Sequence, residues 1–362
     1  MHAVADRLSS VRSLFDPAPG VAYLDAATYG LPPRPTVDAL ERALRRWQAG
    51  TADWVEEWDR EGDVCRALFA TLIGGAMDEI ALLPTVSVGV GLVAASLPAE
   101  TEALVPEQEF ESVFFPLLAA AQGRGVTVRQ APFDELAEAI RPETGLVAFS
   151  LTRSQDGKSA RLGDIVEAAA RHGAQVLVDA THAIPFVPVQ PHLDRIDYLV
   201  CHGYKHLLCP RGVAFLRARR DRWHALTPYF ANWRSGGPRS ARAIDGSSRL
   251  DPTAAQFDVS LAWHAWAGAR PSLELLVAWQ RDGALDEVWA LSRRLAAGLG
   301  LAPPTSSIVA AEAADAEAAV AALASAAIKC AARGGNIRLS PHVYNTIDDI
   351  DRAIAAVGPL MA

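Results

Sequence analysis

Lysine is almost missing from this sequence. Of 34 basic residues only Lys158, Lys205 and Lys329 are lysines, and the rest are arginine. Arginine carries the same charge on a surface but neither deprotonates nor attacks as a nucleophile, so each surviving lysine is a candidate for chemistry. Cysteine is scarce as well: Cys65, Cys201, Cys209 and Cys330, spread over 362 residues, make no disulfide framework. No apolar run reaches the ~18 uninterrupted residues of a membrane-spanning helix. The start, "MHAVADRLSSVRSLFDPAPG", lacks the apolar centre of a signal peptide. The expectation is a cytoplasmic protein with no membrane partner. A basic excess is missing too, and a net charge of -8 argues against bulk nucleic-acid binding, which needs a basic face. Low-complexity tracts are absent, 50% of the residues are hydrophobic and 21% are charged. That composition suits one large and one small buried core and confines disorder to the N-terminus.

What is present reads as alternating strands and helices. "VAYLDAATYGLPP" is a short strand and a turn, and "TVDALERALRRWQAG" and "DVCRALFATLIGG" are helices with glycine stops. "EIALLPTVSVGVGLVAASL" starts as a strand and becomes a small-residue helix after Pro84. "EALVPE", "TVRQAPF", "GLVAFSLTR", "AQVLVDATH", "IDYLVCHGY" and "GVAFLRA" are strands. "VFFPLLAAAQGRG", "ELAEAIRPET" and "LGDIVEAAARHG" are the helices among them. Near-continuous apolar strands alternating with helices predict an α/β fold, a mostly parallel sheet covered on both faces, to about residue 220. The polar, glycine-rich stretch 232–250 reads as a loop or junction. Beyond it come helices "AWHAWAGARPSLELLVAW" and "LDEVWALSRRLAAGLG". The end holds helix "AEAAVAALASAA", strands "IKCAARGG" and "NIRLSPHVYN", and helix "IDDIDRAIAAVG". The division expected is an N-terminal arm at 1–20, a large domain at 21–240 and a smaller α+β C-terminal domain at 241–362.

In an open parallel sheet, ligands lie at the carboxyl ends of the strands. Asp179 ends "QVLVD" and the stretch "CHGYK" ends "YLV", which sends Asp179 and Lys205 to one rim. A lysine beside a carboxylate suits pyridoxal phosphate. The amine condenses with the cofactor aldehyde, and the carboxylate pairs with the pyridinium nitrogen and keeps the ring an electron sink. The phosphate wants a helix N-terminus, and "LPTVSVGVGLVAA" offers one opened by Thr85, Val86 and Ser87. A competing pattern surrounds the lysine: Cys201, His202, His206 and Cys209 are zinc-ligand types. Their spacing matches no common finger, and the cysteines read as small buried hydrophobes, so no metal is expected.

On "VLVDATHAI", "DYLVCHGYKHLLCPRGVAFL" and "NIRLSPHVYNTIDDID" the chain resembles the class V, fold-type I pyridoxal-phosphate enzymes: cysteine desulfurases, kynureninases and isopenicillin N epimerase-like proteins. The resemblance runs from "YLDAATYG" across nearly the whole chain. It implies a seven-stranded-type sheet with a smaller C-terminal domain, and a homodimer with a shared active site. Carried over by position, Lys205 matches the lysine that holds the cofactor and Asp179 its pyridinium partner. His182 matches the position beside the cofactor's O3′ edge. His202, Tyr204, Val86 and Ser87 match phosphate contacts, and Phe110 matches the residue stacked on the ring. Arg338 matches the arginine that grips the substrate α-carboxylate. Ser260, in "FDVSLAW", falls where a second subunit often reaches the phosphate. Tyr29 and Gly30 match positions near the substrate, and Arg153 or Ser154 lies at the same rim.

Structural roles compete with these. Asp179 has the position of a helix cap, Arg338 can pair with the "DDID" acids, and His182 and Phe110 can be core. Lys158 and Lys329 read as surface residues, and Trp263 and Trp266 as core or interface. For the reaction, the resemblance implies an amino-acid substrate worked on through an external aldimine. A persulfide-forming desulfurase is disfavoured, because Cys330 sits in a strand eight residues before Arg338 and the ring-stacking residue is phenylalanine, not histidine. The expectation is a lyase that eliminates a side-chain leaving group, of the C–S lyase type. The alternative is an aminotransferase or epimerase on a small amino acid, and a remote alternative is a non-catalytic cofactor- or metal-binding protein.

Overall fold

A computed structural model describes residues 10–237 and 249–361. The loop expected at 232–250 therefore lies outside the described residues for 238–248, as does most of the first half of the N-terminal arm. The elements run β1 (Ala22–Tyr23), α1 (Arg34–Ala49), α2 (Arg60–Ile73), β2 (Ile80–Leu83), α3 (Val86–Ser96), β3 (Glu102–Pro106), α4 (Glu111–Arg124), β4 (Thr127–Ala131) and β5 (Thr144–Ser150). Then come α5 (Leu162–His172), β6 (Gln175–Asp179), β7 (Tyr198–His202), β8 (Ala214–Ala218), α6 (Trp263–Arg281) and α7 (Ala284–Gly298). The chain ends in β9 (Val309–Glu312), α8 (Ala316–Ser325), β10 (Ile328–Lys329), β11 (Ala331–Arg333), β12 (Asn336–Leu339) and α9 (Ile347–Val357).

The central sheet has seven strands in the order β2-β8-β7-β6-β5-β3-β4. Strands β7, β6, β5, β3 and β4 are mutually parallel, and β8 runs antiparallel to both β7 and β2. Two reversals leave β2 parallel to β7, so the carboxyl ends of β2, β3, β5, β6 and β7 open on one rim. Alternate side chains of each strand feed opposite faces. Leu199, Cys201, Val176, Val178 and Phe215 join one core cluster; Tyr198, Val200, Leu177 and Leu216 join another. The first is covered by α2, α5 and α6, with α1 packed outside α6, and the second by α3 and α4. That double coverage is why the strands read as unbroken apolar runs. In α3 small residues permit close docking: a Cβ on Gly89 would stand 2.8 Å from Leu83 Cδ1 and 2.9 Å from Val200 Cγ1.

A third cluster joins α7, α8 and α9 to the antiparallel sheet β11-β12-β9. Helix α6, which follows the boundary expected at 240, packs with the core of the large sheet through Trp266, Leu273 and Leu276. Two expected elements differ. "ELAEAIRPET" forms no α-helix, only a 3-10 turn at Phe133–Glu135 followed by turns. Pro142 disfavours a helical Arg141, whose N–H is instead taken by Thr144 Oγ1 at 3.2 Å. "IKCAARGG" is two strands, not one. β10 pairs in parallel with β1, β11 pairs antiparallel with β12, and buried Cys330 lies between them.

Candidate active site

The loop after β7 turns back tightly, with Gly203 N–H donating to Val213 O at 2.8 Å and Cys209 N–H to Gly203 O at 3.0 Å. Lys205 stands in that loop, three residues beyond the strand end, with its side chain buried. Its Nζ lies 2.9 Å from His182 Nε2, 5.2 Å from the centre of the Phe110 ring and 5.8 Å from that of Tyr204. Burial lowers the Lys205 pKa to about 7, against the opposing pull of Asp179, and Arg338 and Arg333 push the same way as burial. An amine near neutrality at pH 7 is a base and a nucleophile, which an ordinary lysine is not.

Asp179 ends β6, one strand over. Burial raises its pKa, while Thr181, whose N–H donates to Oδ1 at 2.9 Å, and Lys205 favour its charge. Its bond to Thr181 closes a turn rather than capping a helix, since residues 181–186 form turns and no helix opens there. His182 is buried and, by desolvation first, held well below the ordinary imidazole range. Its Nε2 is also 3.1 Å from Ala27 O. A carbonyl only accepts, so the Nε2 proton points between Ala27 O and a Lys205 amine whose lone pair can accept it. His202 Nδ1 donates to Val213 O at 3.0 Å, and burial brings its pKa down to about 3. The neutral ring thus carries its proton on Nδ1 and leaves Nε2 bare. Tyr204 stacks edge-on to that ring at 4.3 Å and carries Arg211 over its own face at 5.3 Å.

At the end of β2, Thr85 opens α3 with extended backbone and no side-chain cap. Val86 is buried, Ser87 is exposed, and the Thr85 and Ser87 hydroxyls meet at 2.9 Å. The first N–H groups of α3 therefore face the rim that holds Lys205. Phe110, at the head of α4, is partly exposed and roofs the lysine.

Arg338 comes from β12 and is buried beneath the rim. Nη1 donates to Ser154 O and Nη2 to Thr28 Oγ1, both at 2.8 Å, and Asp25 Oδ1 lies 3.9 Å away. Nε has no partner among the described residues. Burial lowers its pKa to about 10, so it stays cationic at neutral pH. The "DDID" acids do not reach it; Asp351 pairs with Arg294 at 2.6 Å. Of the two rim candidates, Ser154 touches Arg338 through its carbonyl. Arg153 is instead held by Asp156 and stacked on Phe133 at 5.0 Å. Gly30 lies against the lysine loop, its N–H donating to Tyr204 O at 3.0 Å. Tyr29 is exposed beside it. Ser260 is exposed and the structure brings it to none of these groups.

Two residues, Glu109 and His342, went unnoticed in the sequence. Glu109 accepts from Ser150 N at 2.8 Å, Ser150 Oγ at 2.5 Å and Phe110 N at 2.6 Å, tying the Phe110 turn to the end of β5. Burial raises it to about 7, with Asp179 adding to the shift. An acid immediately before the ring residue at a strand end was its available signal. His206 and His342 stack at 6.0 Å behind Lys205, buried in core, and His342 bonds to the His206 carbonyl at 3.0 Å. Cys201 and Cys209 are packed in the first core cluster.

Comparison with known proteins gives this arrangement a context. The family model described as Aminotransferase class-V matches residues 22–332. A probable cysteine desulfurase of Aeropyrum pernix is 29% identical over 246 residues, 63% of this chain and 59% of that protein. Isopenicillin N epimerase of Amycolatopsis lactamdurans is 29% identical over 252 residues, 64% and 62% of the two chains. The alignment thus spans less than two thirds of either relative. An uncharacterized aminotransferase of Bacillus subtilis, YcbU, is 28% identical over 83% of this chain and 84% of its own. In fold alone, the cysteine desulfurase CsdA of Escherichia coli superposes with a TM-score of 0.82 at 20% identity, covering 98% of each chain. The cystine C–S lyase C-DES does so at 0.84 and 20%, covering 94% of this chain and 98% of its own.

Proposed function

The chain belongs to the class-V aminotransferase family, whose cofactor is pyridoxal phosphate, and from that premise we propose that it eliminates a thiol from an S-substituted cysteine without forming an enzyme persulfide. The residues fit the cofactor. A near-neutral lysine stands beside a buried carboxylate, and an uncapped helix N-terminus with two hydroxyls opens on the same rim. Asp179 would hold the ring nitrogen, Phe110 would cover the ring, and Val86, Ser87, His202 and Tyr204 would surround the phosphate. Because His202 commits its Nδ1 proton to Val213, its bare Nε2 meets a phosphate either as an acceptor from a P–OH or after gaining a proton. When bound, the cofactor supplies an electron sink that makes the substrate Cα–H acidic.

Lys205 Nζ is the base placed to take that proton, and its depressed pKa leaves it able to do so at pH 7. Arg338 orients the α-carboxylate, held in its own place by Ser154 O and Thr28 Oγ1. Elimination breaks Cα–H and Cβ–S; the thiol leaves as R–SH, and the aminoacrylate residue takes up water to give pyruvate and ammonium. The observation that carries the lyase without persulfide is the state of the thiols. All four cysteines are buried, and burial pushes Cys330 up to about 12. A sulfur acceptor needs an exposed thiolate.

The test begins with the purified protein. It should absorb near ~420 nm, a band of the cofactor itself, and borohydride should fix the cofactor on Lys205. Lys205→Ala should lose both. A colourless protein that gains no band from added pyridoxal phosphate overturns the cofactor assignment. A panel of S-substituted cysteines should yield pyruvate and thiol; a keto acid formed only with a second keto acid would mean transamination, and loss of optical rotation alone would mean epimerisation. Light scattering at twice the chain mass is expected for the homodimer we propose, in which Ser260, exposed in the single chain, would reach the partner's phosphate.

A further inference from the structure

One arginine near Lys205 has no use in the chemistry above. Arg333 ends β11, and in the β11–β12 hairpin Ala331 faces Arg338 while Arg333 faces Asn336. Directly opposed residues of an antiparallel pair share a face, as do residues two apart on one strand. Arg333 and Arg338 therefore project from the same face of the hairpin as diagonal neighbours, about 7–8 Å apart by strand geometry. The hairpin leans on the rim of the large sheet, where Gly334 abuts Gln155 and Gln155 Nε2 bonds to Gln108 O at 2.8 Å, next to the Phe110 turn.

The two arginines differ in surroundings. Arg338 is buried and braced by Thr28, Ser154 and Asp25. Arg333 is exposed, and the one described hydrogen bond of its side chain goes to the neighbouring carbonyl of Ala332 at 3.1 Å. No ion pair to a carboxylate is formed by it among the described residues. Its charge nevertheless reaches the site, depressing Lys205 and Arg338 and acting on Tyr204 and Asp25. Like charges gathered round one cavity repel each other, and an anionic ligand group relieves that repulsion. Arg338 can absorb an α-carboxylate, and Arg211, over Tyr204 beside His202, lies on the phosphate side. Arg333, beside Arg338 on the same hairpin face, is left without a group to neutralise.

We infer that the site selects amino acids whose side chain ends in a second acidic group, held by Arg333. In the elimination proposed above the substrates are then S-substituted cysteines whose sulfur substituent carries a carboxylate, S-(carboxymethyl)cysteine being the simplest. This specificity rests on Arg338 taking the α-carboxylate, as proposed, but not on the bond that is broken.

Binding of unreactive acids to the holoenzyme tests it without turnover. Glutarate and butyrate differ by one carboxylate, and by calorimetry glutarate should bind about tenfold more tightly, the contribution of one charge-assisted hydrogen bond. Arg333→Gln should bring the ratio near one, and Arg333→Lys should restore part of it, because a lysine keeps the charge but not the fork. Equal binding to the wild type, or a ratio that survives Arg333→Gln, overturns the inference. In parallel, kcat/KM for thiol release should favour S-(carboxymethyl)cysteine over S-ethylcysteine, and the preference should vanish in Arg333→Gln. A glutarate preference with no thiol released from any S-substituted cysteine would sink the elimination and uphold Arg333. Equal thiol release from both substrates, with equal acid binding, would do the reverse.

Discussion

At the scale of the residue, the chemistry turns on how far a side chain is removed from water. Lys205 is one of three lysines in the chain, and rarity marked it, but rarity says nothing about protonation. Burial does, taking its pKa from the ordinary 10.5 to about 7. The sign of the pH dependence follows. A base with a lowered folded pKa is neutral in both states above about 10.5 and charged in both below about 7. The cost of burying this lysine therefore falls on the folded chain in full below 7 and progressively less as pH rises toward 10.5. Replacing Lys205 by Met in the apo-protein is expected to raise stability by a few kcal/mol at about pH 6.5, since each tenfold change in a protonation equilibrium is worth about 1.4 kcal/mol. The gain should shrink clearly at about pH 9.5, and urea unfolding midpoints at the two pH values check it. A gain that is flat with pH would mean that Lys205 titrates normally. Lys158, by contrast, pairs on the surface with Asp134 at 2.6 Å, as a solvated lysine does.

At the scale of the element, loops at strand ends do the positioning, and their tolerances are small. The Tyr29–Gly30 loop comes so close to the lysine loop that a Cβ at Gly30 would collide with the Lys205 carbonyl and with Leu208 Cδ2. From sequence Gly30 is a residue near the substrate; in the fold it is a point of backbone contact behind the catalytic loop. Gly30→Ala is expected to cost about 1–3 kcal/mol, the range for overpacking, and to weaken retention of pyridoxal phosphate by displacing Lys205. Chemical unfolding and cofactor dialysis read the two effects separately. Unchanged stability and retention would show that the loop yields freely. Elements were legible where periodicity was long, as in α1 and α5 with their glycine caps Gly50 and Gly173. They were misread where a short apolar run was decided by its surroundings. The run "ELAEAI" is held in turns, and "IKCAARGG" divides at Cys330 because two different partner strands claim its halves.

At the scale of the whole molecule, a buried ionic cluster ties distant stretches of chain together. Asp258 accepts from Arg66 Nη2 at 2.6 Å, Arg234 Nε at 3.0 Å and the backbone of Leu82 at 2.8 Å, while Arg234 also pairs with Asp59 at 2.7 Å. Asp258→Ala would take the shared carboxylate from both buried guanidinium groups, leaving Arg66 with Asp63 at 3.4 Å and Arg234 with Asp59 and Asp63, so a loss of about 3 kcal/mol is expected, read as a lowered unfolding midpoint. A loss below about 1 kcal/mol would show that water replaces the carboxylate. The sequence by itself determined the sheet, its rim and the placing of Asp179 and Lys205 at neighbouring strand ends, because apolar strands covered on both faces leave a local pattern and strand ends fix where loops emerge. The tertiary structure alone decided the rest: that Glu109 anchors Phe110 to β5, that Arg153 is taken up by Asp156, and that Arg338 is braced while Arg333, on the same hairpin face, meets no carboxylate among the described residues. Burial and partner geometry depend on residues far apart in the chain, and no local pattern records them.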